Sequence, residues 1–150
     1  MRICNPGDFF RAFPRLKKSP PPFNVTSPDT WRYNCIAWAV GDINRWWWPA
    51  HPDAYWPNRC LEEVTILAFE RMFATLGYEP CNIGRRESGY EKIVLYALKD
   101  QPTHAARQLK NGRWTSKLGK NVDIEHKVRD LEGPRYGKVV AYFRRPRQKG

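Results

Sequence analysis

Several things are missing from this 150-residue sequence, and each absence removes a class of protein. No apolar run approaches the roughly 18 residues that a membrane-spanning helix needs. The opening residues, Met1 to Asp8, carry no apolar stretch of the secretory kind, so a cytoplasmic protein is expected. The four cysteines (Cys4, Cys35, Cys60, Cys81) are too few for a disulfide scaffold and include no C-x-x-C pair. Together with His51, His104 and His126 they match no usual zinc spacing, so no metal is expected. The ten glycines are scattered, without a G-x-G-x-x-G or P-loop pattern, so no nucleotide cofactor is expected either. No repeat of solenoid length appears.

What is present points to one folded domain. The chain is 41% hydrophobic and 14% aromatic, which argues against disorder. A chain of this length buries roughly 70% of the surface its unfolded form exposes, enough for a real core. The net charge of +11 is unevenly spread. Residues 1–50 carry +4, residues 51–100 carry −2, and residues 101–150 carry +9, with thirteen basic against four acidic side chains. That last third suits an anionic polymer or an acidic protein as partner. A solvated surface that keeps the domain soluble is the plainer reading.

Along the chain, residues 1–30 read as an extended arm, with Lys17-Lys18-Ser19-Pro20-Pro21-Pro22 basic and proline-fixed, lying across the body. Residues 31–143 form the domain proper, and 144–150 a basic tail. A short helix is expected over Asn34–Val40, capped by Asn34 or a residue just before it and ended by Gly41. A second runs from Leu61 to Leu76 on the stripe Val64, Ala68, Met72, Leu76, with Glu62 and Glu63 in its first turn and Gly77 after it. Beyond it the period becomes alternating. Strands are expected at Lys92–Ala97, Thr103–Leu109, Arg113–Lys117 and Tyr136–Phe143, with a two-residue type I′ turn at Asn111-Gly112. Residues 122–131 suggest a short helix or turn. Helices followed by an antiparallel sheet make the class α+β.

One cysteine at a helix start and one histidine on a later strand form the arrangement a thiol nucleophile needs. A helix N-terminus favours the thiolate, and an imidazole beside it can take the proton and later deliver it. This makes Cys35 the candidate nucleophile and His104 the candidate base. The plainer readings are a small buried hydrophobe and a satisfied structural histidine. Cys4 in the arm, Cys60 before the long helix and Cys81 in a loop are weaker thiols. His126, near Asp123 and Glu125, reads as a surface ion pair and otherwise as the rival base, while His51 between prolines reads as exposed. Trp46-Trp47-Trp48 and Trp56 supply either core anchors or stacking surfaces for sugar rings or bases.

A helix-initial cysteine followed by histidine and a polar group on successive strands resembles the papain-like superfamily, including the small NlpC-type and transglutaminase-like cysteine enzymes. The strings Asn34-Cys35-Ile36-Ala37-Trp38-Ala39, Pro102-Thr103-His104-Ala105-Ala106-Arg107-Gln108, Trp114-Thr115-Ser116-Lys117-Leu118-Gly119 and Asp123-Ile124-Glu125-His126 also resemble an uncharacterised bacterial domain family. The papain-like resemblance implies helices packed on a small antiparallel sheet, and a hydrolase, amidase, deamidase or acyltransferase working through a thioester. By it Cys35 is the nucleophile, His104 the base and Ser116 the orienting group, with Asn121 or Asp123 as substitutes. A two-residue turn at Asn111-Gly112 would pair His104 with Gly119 and turn Ser116 to the opposite face, unless a bulge repairs the register. The competing expectation is a non-enzymatic basic binding module for nucleic acid or an acidic partner.

Overall fold

The computed structural model describes residues 11, 13–18, 24–27, 30–118 and 123–148. Among these described residues seven strands occur in chain order: β1 (Asn24–Ser27), β2 (Glu79–Cys81), β3 (Tyr90–Leu98), β4 (Gln101–Gln108), β5 (Trp114–Lys117), β6 (Asp123–His126) and β7 (Lys138–Pro146). They make one antiparallel sheet in the order β1-β6-β5-β4-β3-β7-β2. The helices are α1 (Cys35–Val40), packed on β4 and β5, and α2 (Ile66–Thr75), which touches β2 and β4. The class is α+β. Among the described residues no helix is long and apolar enough to cross a membrane.

Side-chain alternation gives the sheet two cores. Ile93, Leu95, Ala105 and Phe143 pack with Cys35, Ile36, Phe69 and Phe73 from the helices. Val94, Tyr96, Ala106, Trp114 and Ile124 face the other way, against Phe13, Leu16 and Leu131. Successive residues point to opposite faces, so a strand buried on both sides reads as a continuous apolar run, as Ile93–Ala97 does.

Both helices end as glycine predicts. Gly41 (φ 89°) and Gly77 (φ 92°) take the left-handed conformation, and the amides of Asp42 and Tyr78 reach back to the carbonyls of Ala37 (2.8 Å) and Phe73 (3.1 Å). The second helix starts later than its apolar stripe suggests. Thr65 Oγ1 accepts the Ala68 amide at 3.1 Å and fixes the start at Ile66, which leaves Glu62 and Glu63 in the preceding loop.

The hairpins differ from expectation in a way that matters for the site. The two-residue turn with both φ positive is at Lys99-Asp100 (51° and 66°), closing the Leu98–Gln101 pair. At Asn111-Gly112 the loop has three residues: the Leu109 amide donates to the Arg113 carbonyl at 2.7 Å, and Gly112 alone is left-handed (φ 88°). The strands then pair Arg107 with Thr115 and Gln108 with Trp114, one residue off the two-residue register. Ser116 thereby shares a face with His104.

Three further expectations are corrected. Residues 123–126 are a strand, and a 3-10 turn follows at Val128–Leu131. Ile124 and His126 are buried on the second core face, which a surface helix would not allow. The sheet also extends past both ends of 31–143. Asn24–Ser27 pairs with β6, a 3-10 turn at Pro14–Lys18 brings Leu16 into the second core, and Arg144–Pro146 complete β7. Cys81 lies on the edge strand β2, paired with Tyr142. Cys4, Ser19–Pro22, Gly119, Asn121 and Lys149 lie outside the described residues.

Candidate functional site

Asn34 organises the start of α1. Its Oδ1 accepts the amides of Ala37 and Trp47, both at 3.1 Å, and its Nδ2 donates to the Trp47 carbonyl at 2.9 Å. One side chain thus caps the helix and clamps the tryptophan loop over it. Trp47 Nε1 donates to Asp42 Oδ2 (2.8 Å), Trp46 Nε1 to the Trp31 carbonyl (2.6 Å), and the Trp48 amide to the Tyr55 carbonyl (3.0 Å). Trp47 and Trp56 are core residues, whereas Trp46 and Trp48 join Trp31 in a cleft of about 670 Å³. Asn34, Cys35, His51 and Asp53 share its lining.

Cys35 retains only 7% of its surface. Burial pushes its thiol up to about 11, although backbone hydrogen bonding at Ala105, Ile36 and Cys35 itself, and the charge of Lys117, favour the thiolate. The expected activation by the helix start is therefore outweighed by desolvation, and the resting group is a thiol. Cys60 and Cys81 are half-buried, and burial raises the Cys81 thiol as well.

His104, Ser116 and His126 form a buried chain, all with no exposed surface. His126 was expected on the surface. It faces inward because it pairs with Trp114 across β5–β6 and so shares that residue's buried face. His104 Nε2 lies 2.9 Å from Ser116 Oγ, and Ser116 Oγ lies 2.6 Å from His126 Nε2. His126 Nδ1 is 2.7 Å from the Lys127 carbonyl, which can only accept. The proton order follows from that end. His126 carries its proton on Nδ1, so its Nε2 accepts the Ser116 hydroxyl, and Ser116 Oγ in turn accepts His104 Nε2–H. His104 Nδ1 is left as an unprotonated, buried lone pair with no hydrogen-bond partner. Burial holds His104 well below the ordinary histidine range, with the nearby His126 acting in the same direction, and brings His126 down to about 4. Both rings are neutral at pH 7.

The Tyr136 ring stacks on His104 at 4.1 Å and 5°, fixing the plane of the imidazole. Of the predicted residues, His104 and Ser116 are brought into contact, and Ser116 with His126 in addition. Cys35 is on the helix-covered face, beside Ala105, and His104 points to the other; no hydrogen bond joins them. Asp123 is on the Cys35 face of β6, where its Oδ2 accepts Tyr33 Oη–H at 2.8 Å, away from His104. The clamp at Asn34, the stacking of Tyr136 and the cleft residues Trp31 and Asp53 were not read from sequence. Only the Asn34 position next to Cys35 carried a signal, and that signal was for capping alone.

Four arginines of the last third are held in ion pairs. Arg113 pairs with Glu125 (3.5 Å), Arg129 with Glu132 (3.0 Å), Arg145 with Glu91 (2.5 Å), and Arg144 with Glu79 (3.3 Å) and Glu87. Among the described residues no cluster of His, Cys, Asp or Glu has the makings of a metal site.

No curated protein and no solved structure matches the chain. Residues 24–144, which span all seven strands but for the end of β7, match the family described as a domain of unknown function, DUF7689, and the chain belongs to that family.

Proposed function

We propose that the chain is a cysteine hydrolase or amidase of the papain-like kind, with Cys35 as nucleophile. The observation that carries this reading is the placement of the Cys35 thiol in the first turn of α1, at the wall of the cleft of about 670 Å³. His104 and Ser116, the base and orienting group that the order of parts suggests, lie on the opposite face of the sheet from that thiol and take no part in the reaction.

The resting thiol is neutral, so it is activated as substrate binds rather than standing as a thiolate. Sulfur bonds to the carbonyl carbon while its proton passes through solvent in the cleft to the substrate nitrogen. Collapse of the tetrahedral intermediate breaks the carbon–nitrogen bond, and the amine leaves with that proton. Water then attacks the thioester, returns a proton to sulfur and releases acid and free thiol; an amine in place of water gives transfer.

The test is a peptidyl electrophile of the vinyl sulfone type, followed by intact-mass and peptide mapping. The adduct is expected on Cys35 and absent in Cys35→Ala. No adduct on Cys35, or preferential labelling of Cys60 or Cys81, overturns the reading.

A further inference from the structure

The cleft beside Cys35 contains features that the thiol chemistry does not use. Trp31, Trp46 and Trp48 contribute three indoles, and Asp53 contributes a carboxylate with no lysine or arginine among the lining residues. Trp31 leaves 71% of its surface exposed, a large apolar area for a residue without a ligand. Trp46 is tied to the Trp31 backbone, and Trp48 packs edge-on against Phe69 at 5.5 Å, so two of the indoles are held by the scaffold. The same loop already solves a related problem internally: the Arg45 guanidinium lies 3.5 Å from the Tyr55 ring centroid while its Nε donates to Asp42 at 2.8 Å. Indole faces attract a cation through their quadrupole, and a carboxylate beside them adds direction.

We propose that this cleft is the subsite for a cationic side chain, an ammonium or guanidinium group, of the substrate that Cys35 attacks. The substrate class is then an amide flanked by a basic residue. A neutral ring would also stack on the tryptophans, but it would leave the Asp53 carboxylate without a role. This inference rests on the acyl-transfer reading for the reaction and on the cleft alone for the binding.

The test titrates the full chain and its Cys35→Ala variant with N-acetyl-lysine N-methylamide and with the neutral isostere N-acetyl-norleucine N-methylamide. Binding is followed by tryptophan fluorescence and indole N–H resonances. The lysine probe is expected to bind about tenfold more tightly than the isostere. Asp53→Asn should erase that difference, and Trp31→Ala should weaken both probes. Equal binding of the two probes, or selectivity that survives Asp53→Asn, overturns the proposal. Lysine selectivity without vinyl sulfone labelling keeps the cleft and removes the enzyme; labelling without selectivity does the reverse.

Discussion

Removing the Ser116 hydroxyl strands two imidazole nitrogens at once. Ser116→Ala leaves His104 Nε2–H and His126 Nε2 buried without partners, and the expected loss is about 1–3 kcal/mol in urea unfolding. The same substitution should release the His104 tautomer, visible as a change in its ring nitrogen shifts. Acid gives a second prediction. The folded chain holds His126 at about 4 and His104 well below 6.5, whereas unfolded histidines titrate near 6.5. Below that pH the unfolded state binds protons that the folded state refuses, so stability is complete above about pH 6.5 and falls as pH drops toward about 4. His126 alone accounts for on the order of 3 kcal/mol, measurable as a shift of the urea midpoint that His126→Gln should reduce. At this scale the sequence was informative about residue type and weak about surroundings. Cys35 at a helix start was readable, but the burial that raises its thiol depends on Ile93, Leu95 and Phe143 arriving from distant strands. Tyr136 gave no local sign that it would lie against His104.

Elements are where capping and turn chemistry act, and there the sequence spoke more clearly. Asn34, Gly41 and Gly77 were all readable, because each solves a local problem of unsatisfied backbone groups or left-handed dihedrals. The start of α2 was not, since the apolar stripe continues upstream of the Thr65 cap. Two substitutions separate the roles of Asn34. Asn34→Ala removes cap and clamp together, with an expected loss of about 2–3 kcal/mol. Asn34→Asp keeps the acceptor for Ala37 and Trp47 but cannot donate to the Trp47 carbonyl, so the helix should persist while the indole resonances of the cleft shift. Gly137 tests the β3–β7 junction. Its φ is 80°, and an added Cβ would lie 2.0 Å from the Ala97 carbonyl oxygen. Gly137→Ala should therefore cost more than about 3 kcal/mol and broaden the thermal transition.

For the whole molecule, the α+β class followed from the change of hydrophobic period, while the seven-stranded order did not. Short segments such as Glu79–Cys81 and Asn24–Ser27 become strands only because β7 and β6 offer them an edge. The charge distribution also changes meaning once folded. Arg113, Arg129, Arg144 and Arg145 must leave their glutamates before they meet a phosphate. Binding of an oligonucleotide should thus show a shallower dependence on salt than thirteen basic residues would produce, readable from the slope of log affinity against log salt. The hairpin after β4 has a last consequence. Its loop length acts as a parity device: one residue more or fewer would turn the Ser116 hydroxyl away from the imidazole, whereas two would turn it back. Relatives of this chain should vary that loop in even steps, and a single deletion there should behave as a lesion of the buried His104–Ser116–His126 chain rather than as a harmless trim.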